Sequence, residues 1–330
     1  MKDSVSITKR HNWATEDIAA YFALPFNDLL YQAHGIHRAC FNPNEVQMSI
    51  LLSMKTGSCP EDCGYCSQSG HVKTGIQKQK LMTKDAIVTA AKQAKANGAT
   101  RFCMSAAWKG PNDKDLASVI EAIKAVKALG LETCATMGML KEGQAEQLKA
   151  AGLDYYNHNI DTSREHYSNV ITSHSFDDRL QTLARVREAG LHTCCGGIMG
   201  MGETREDRIS FLRELANLPT HPKSVTLNRL IPIAGTPLEK APPLDPFEFV
   251  RVVAVARILM PYSFVRLSAG RSTMSDELQA LCFFAGANSI HTGDSLLTTP
   301  LQGQSADEQL LKKLDLKPLI PKHDSTVEAH

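Results

Sequence analysis

The 330-residue sequence has no excess of either charge: 36 Lys and Arg stand against 35 Asp and Glu. That balance removes the electrostatic reason to expect nucleic acid or an anionic membrane as a partner. Long apolar runs are also missing. The greasiest stretch, FVRVVAVARILM at 249–260, is too short and too charged to span a bilayer. The opening residues MKDSVSITKRHNW carry no apolar signal core, so a soluble protein of the cytoplasm is expected. Low-complexity segments are absent, and the twelve histidines show no ligand spacing that stands out.

Cysteine is what the chain does have. Nine occur, at 40, 59, 63, 66, 103, 134, 194, 195 and 282. In a long chain without an export signal, an odd set of this kind points to metal binding or catalysis before disulfides. Three fall inside CPEDCGYC, with the spacing C-x3-C-x2-C: Cys59, Cys63 and Cys66. Structural zinc wants four ligands and usually pairs two C-x2-C knuckles, and no second knuckle follows. A disulfide with a spare thiol stays open but suits a reducing compartment poorly. A [4Fe–4S] cluster normally takes four cysteines, so three would leave one iron open to another ligand. Pro60 and Gly64 allow the sharp bends of a loop wrapped around such a cubane.

Between residues 80 and 291 one joint recurs, an amphipathic helix that closes on glycine and is followed by a short apolar run. Gly98 leads to TRFCMSA, Gly130 to LETCATM, Gly152 to LDYYNHN and Gly190 to LHTCCGGI. With SILLSM (49–54), SVTLNRL (224–230), SFVRLSA (263–269) and ANSI (287–290) there are eight strand candidates. Helical stretches at 84–97, 114–129, 142–151, 175–189, 204–217, 245–260 and 274–284 separate them. This alternation predicts parallel βαβ units closed into a (β/α)8 TIM-type barrel over residues 46–317. Residues 1–45 read as a helical extension, with helices at 14–22 and 26–40, and 318–330 as a flexible, disordered tail.

Alternate residues of a strand face the same side. That rule groups Arg101, Cys103 and Ser105 on the second strand, and Glu132, Cys134 and Thr136 on the third. It groups Asn157, Asn159 and Asp161 on the fourth, Thr226 and Asn228 on the sixth, and Arg266 and Ser268 on the seventh. The apolar alternates suit the sheet–helix layer, so the polar and sulfur-bearing residues are expected in the lumen. A bland barrel fills that space with Val, Ile and Leu, and polar groups there are costly unless they bind something. A lone cysteine is ordinarily a small buried hydrophobe. Three on separate strands, with an arginine at matching parity on a fourth, are better read as a site.

C-x3-C-x2-C after the first strand of such a barrel, with Tyr65 before the last cysteine, resembles the radical S-adenosylmethionine enzymes. RFCMSAAW, GLDYYNHNIDTS, GGIMGMGET, GTPL, VRLSAGR, FFAGANSI and LLTTP extend the likeness over about residues 20–300, to the sulfurtransferase branch that converts dethiobiotin to biotin. The resemblance implies a [4Fe–4S] cluster on Cys59, Cys63 and Cys66 that binds S-adenosylmethionine and yields a 5′-deoxyadenosyl radical. It implies a [2Fe–2S] cluster on Cys103, Cys134, Cys194 and Arg266 as the sulfur source. It places Tyr65, Asn159 and Asp161 against S-adenosylmethionine, the last two at its ribose, and Asn159 and Asn228 against the ureido ring of dethiobiotin. It also implies an electron-donor protein, flavodoxin- or ferredoxin-like, and a homodimer.

Some residues are expected to do less. Adjacent residues face opposite sides, so only one of Cys194 and Cys195 reaches the lumen, and the following GGI favours Cys194. Cys40 and Cys282 are read as core, and His158 as an outward histidine. GGIMGMGE (196–203) lacks the glycine order of a dinucleotide fingerprint; by resemblance it passes the methionyl end of S-adenosylmethionine. The competing readings are a related sulfur-inserting or maturase enzyme on the same barrel, and a metal-binding structural or nucleic-acid module. The missing knuckles and the neutral charge weigh against the module.

Overall fold

The computed structural model describes residues 7–320. Nine segments build the barrel: β1 (Glu45–Lys55), β2 (Arg101–Ala106), β3 (Glu132–Thr136), β4 (Tyr155–Asn157), β5 (His192–Cys194), β6 (Gly197–Met199), β7 (Ser224–Arg229), β8 (Phe264–Leu267) and β9 (Ser289–His291). All pair in parallel, in the order β1-β2-β3-β4-β5-β7-β8-β9. Gln47 opposite Ser289 and Ser49 opposite His291 join β9 back to β1, which closes the ring of eight. The fifth strand, expected to run unbroken through 191–198, is interrupted. β5 meets β7 at Cys194–Ser224, and after Gly196 the chain resumes as β6 along Gly197–Leu227 to Met199–Arg229.

The expected helices form at Lys84–Ala96, Asp113–Lys127, Gln144–Ala150, Phe176–Glu188, Arg205–Ala216, Pro246–Leu259 and Asp276–Phe284, behind Thr15–Ala23 and Phe26–Cys40. Their starts are chemically marked. Ser175 and Thr204 accept from the backbone of Asp178 and Asp207, whose carboxylates bond back in capping boxes. Sequence reading did not foresee the short helix Arg164–Tyr167, the hairpin Ser295–Leu296/Thr299–Pro300 or the helix Gln304–Lys313. Lys317–Pro318 lies beside Glu45–Val46 at the start of β1. The rest of the expected tail, 321–330, lies outside the described residues.

Side-chain alternation then separates two environments. Outward residues such as Phe102, Met104, Ala135 and Tyr156 pack on Val119, Ile123 and Leu148. Val225, Leu227, Val265 and Leu267 pack on Phe249, Val252, Val253 and Ala256. Each fully buried aliphatic or aromatic side chain contributes about 1.5–3 kcal/mol, so this layer carries the stability. Inside the ring the only apolar grouping among the described residues is small: Cys103, Cys134 and Tyr155, with Leu51 against them.

One fastener in the outer layer is polar. Arg257, on the helix Pro246–Leu259, is wholly buried. Its guanidinium donates twice to Gly286 O, and to Pro261 O, Ser263 O and Asn288 Oδ1, at 2.8–3.0 Å. Planar fork geometry lets one side chain satisfy that many acceptors.

Candidate active site

β1 delivers the chain to the barrel mouth, where the three-cysteine loop begins. The loop is held by its own backbone. Cys59 N–H donates to Gln68 O (2.9 Å), Gly70 N–H to Cys59 O (2.7 Å) and Cys66 N–H to Cys63 O (2.9 Å). It is also moored to the segment after Tyr167: Gly64 N–H donates to Val170 O (2.8 Å), and the Asp62 carboxylate accepts from the N–H groups of Thr172 and Ser173, each at 3.0 Å. All three thiols are free. Burial raises them above the ordinary range, Cys66 to about 11, with Cys59 and Cys63 shifted the same way. They are thiols, so loading a metal group must release protons.

Beneath the loop lies a cavity of about 310 Å³ whose walls include Cys59, Cys63 and Cys66 at one end and Cys103, Cys134 and Arg266 at the other. β2 and β3 set Cys103 opposite Cys134. The two neighbouring thiols shift one another in opposite senses, Cys134 above and Cys103 below the ordinary value. Cys194 completes the set: its sulfur is 3.4 Å from Thr226 Oγ1, and Arg266 Nη1 donates to it at 3.8 Å. The guanidinium of Arg266 is held from behind by Ser289 Oγ (2.9 Å) and Gln47 Oε1 (3.1 Å).

A second buried arginine lies under this layer. Arg101 donates through Nε to Glu132 Oε2 (3.1 Å), and its guanidinium carbon sits 3.5 Å from the centroid of the Tyr155 ring. Its Nη1 is buried without a hydrogen-bond partner. Among the described residues no three His, Cys, Asp or Glu side chains are arranged to hold a single metal ion. Soft thiols around a roomy cavity, with cationic donors behind them, fit anionic iron–sulfur groups better.

The upper wall holds Asp161, in the left-handed region at φ 67°, where a non-glycine residue is uncommon. Tyr65 O–H (2.7 Å) and Arg179 Nη2 (2.9 Å) both bind its Oδ2. Asn159 accepts from Gly196 N–H at 3.0 Å through Oδ1. Asn228 donates to Gly197 O and accepts from Ala269 N–H, both at 3.0 Å.

Residues 54–215 match the model of the radical SAM superfamily, and residues 226–317 that of the Biotin and Thiamin Synthesis associated domain. The chain is 61% identical to the biotin synthase of Nitrosococcus oceani over 312 residues, 94% of this chain and 90% of that protein. It is 60% identical to the biotin synthase of Alkalilimnicola ehrlichii, covering 94% and 93%. This chain belongs to the biotin synthase family. Among solved structures, a methylornithine synthase superimposes with a TM-score of 0.80 at 20% identity, covering 93% of this chain and 94% of that one. The [FeFe]-hydrogenase maturase of Carboxydothermus hydrogenoformans gives 0.80 at 18% identity, covering 93% and 76%. At those identities the two structures attest the barrel fold alone.

Several features of this biotin synthase-family barrel differ from what its sequence suggests. His158 is not an outward histidine. β4 ends at Asn157, alternation stops with it, and the buried imidazole lines the cavity with Nε2 unpartnered. The glycines of GGIMGMGE have a structural task first. A Cβ on Gly196 would stand 1.8 Å from Thr226 O, so the interrupted strand could not lie against β7 with any side chain there. Cys195 is wholly buried in the outer apolar layer, away from Cys194. Cys282 is core, while Cys40 is only half-buried. Arg179 and Gln47 escaped notice because neither sits in a motif: one reaches in from the helix Phe176–Glu188, and the other lies on β1 before its expected start.

Proposed function

We propose that this lumen inserts sulfur into dethiobiotin to form biotin, with a [4Fe–4S] group at its mouth and a [2Fe–2S] group at its floor. The carrying observation is one cavity lined by Cys59, Cys63 and Cys66 and also by Cys103, Cys134 and Arg266, with the Cys194 sulfur accepting from Arg266 beside it. Cys59, Cys63 and Cys66 would hold the upper group; Cys103, Cys134, Cys194 and Arg266 would hold the lower. When bound, these groups supply the electron that cleaves S-adenosylmethionine to a 5′-deoxyadenosyl radical, and the sulfur.

The chain's own share is position and exclusion. Asp161, steadied by Tyr65 and Arg179, presents its carboxylate to the ribose hydroxyls of S-adenosylmethionine. Asn159 spends its oxygen on Gly196 and keeps its amide N–H groups for a ligand carbonyl. Asn228 uses one donor and one acceptor on backbone, leaving one of each for a ureido ring. The closed wall keeps quenchers from a radical. Among the described residues no helix is long and apolar enough to cross a membrane. A flavodoxin- or ferredoxin-like electron donor, a homodimer and a cytoplasmic setting belong to the same proposal.

The test is an anaerobic reaction of reconstituted protein with dethiobiotin, S-adenosylmethionine and a reductant, measuring 5′-deoxyadenosine and biotin. Both products are expected. Nucleoside without biotin, at full iron and sulfide loading, would remove the assigned substrate and leave only the radical chemistry.

A further inference from the structure

The register of β8, β9 and β1 sets Arg266 beside Ser289 and Ser289 beside Gln47, in one row inside the barrel. All three side chains are buried, none more than 2% exposed. Ser289 Oγ accepts from Arg266 Nε at 2.9 Å. Gln47 Oε1 accepts from Arg266 Nη2 and from the Ser289 hydroxyl, each at 3.1 Å. Gln47 Nε2 turns the other way and donates to Glu132 Oε2 at 3.2 Å.

These neighbours fix the amide. A guanidinium only donates and a carboxylate only accepts, so Gln47 has one orientation, oxygen to Arg266 and nitrogen to Glu132. The charge of Glu132 is taken by Arg101, at 3.1 Å. Arg266 has no ion pair among the described residues; its partners are a hydroxyl, an amide and the Cys194 sulfur. A buried cation without an acid is costly, and that cost has a use where an anion is to be held.

We propose that Gln47 is a positioning residue for the lower set: it holds the Arg266 guanidinium toward Cys194 and keeps that cation from pairing with Glu132. The inference rests on the [2Fe–2S] reading above. An acid in place of the amide would take two of the guanidinium N–H groups and cancel its charge. The amide offers one oxygen, already shared with Ser289. Arg266 therefore keeps Nη1 and its charge for the anionic group held by the cysteines.

The experiment uses anaerobically reconstituted protein without substrate. It follows iron release to a chelator and the midpoint potential of each cluster, with Mössbauer spectra to tell the two apart. Gln47→Met keeps the volume and removes the acceptor. It should release lower-cluster iron about tenfold faster than wild type, or fail to hold that cluster, with the upper cluster unchanged. Gln47→Glu combined with Glu132→Gln keeps two arginines and one acid in place but moves the acid to the Arg266 side. Its lower cluster should titrate at lower potential, because negative charge nearby opposes reduction. Loss of the lower cluster alone in this exchange also supports the proposal. Wild-type iron release in Gln47→Met overturns it, and so does a potential at or above wild type in the exchange. Loss of both clusters together in either variant makes Gln47 a residue of the fold alone and overturns it too. Wild-type protein that never holds a lower cluster would instead refute the [2Fe–2S] reading.

Discussion

The two cysteine sets are built in opposite ways. Cys59, Cys63 and Cys66 belong to one loop that is shaped by its own carbonyls and moored at Val170 and Thr172–Ser173. Cys103, Cys134 and Cys194 come from β2, β3 and β5 and meet only because the barrel closes. The upper thiols are raised by burial, whereas in the lower set Cys134 is raised, Cys103 is lowered and Cys194 accepts from the Arg266 guanidinium. A loop of the first kind can lose its chemistry with the fold intact. The second kind is inseparable from the fold, so its residues are judged by which face of a strand they occupy.

The largest effect should come from the mouth. Cys63→Ala is expected to abolish 5′-deoxyadenosine formation while unfolding free energy stays within about 1 kcal/mol of wild type, because only a small thiol is lost. Product chromatography and denaturant titration check the two halves; continued cleavage would detach the loop from the radical step.

Next is the adjacent pair at the end of β5. Cys194→Ser should end biotin formation. Cys195→Ser should keep turnover but cost about 1–3 kcal/mol of stability, since a hydroxyl replaces a thiol in the apolar outer layer. The reverse pattern in assay and melting curve would mean that the strand faces are misassigned.

A smaller effect tests the wall between the sets. Asp161→Asn keeps the shape but removes the charge facing Tyr65 and Arg179. Iron content should stay constant, affinity for S-adenosylmethionine should fall about tenfold, and 5′-deoxyadenosine should exceed biotin. Unchanged affinity and coupling would move the ribose contact elsewhere.

The smallest lies outside both sets and serves as their control. His37 is wholly buried on the helix Phe26–Cys40 with both ring nitrogens unpartnered, and burial lowers its pKa to about 3. The unfolded chain takes up this proton near the ordinary value and the folded chain refuses it. Stability is therefore full above about pH 6.5 and falls as pH drops toward 3. From about pH 7 to about pH 5.5 the loss is on the order of 1 kcal/mol. His37→Phe should flatten that part of the profile in urea titrations; an unaltered slope would assign the acid sensitivity to other groups.

These contrasts also explain what could be read in advance. The mouth loop is legible because its thiols are neighbours in sequence. Arg101, Cys103, Glu132 and Cys134 are legible because β2 and β3 are regular, and alternation carries their side chains to one face. The same rule fails where regularity ends, at His158 beyond β4 and at Gly196 between β5 and β6. No period announces the two-residue strands at 295–300, and no motif announces Arg179, which reaches Asp161 from a helix. The backbone bonds of Asn228 appear only once Gly197 and Ala269 are seen beside it.

The buried fork of Arg257 constrains how this sequence can change over time. A Cβ on Gly286 would stand 2.6 Å from Arg257 Cγ, so position 286 accepts no side chain while the arginine is present. Losing the arginine first strands the carbonyls of Gly286, Pro261 and Ser263 inside the protein. Losing the arginine does not free position 286 either, because its φ of +111° strains any side chain. The two residues are therefore held for separate reasons, one by backbone conformation and the other by the acceptors it satisfies.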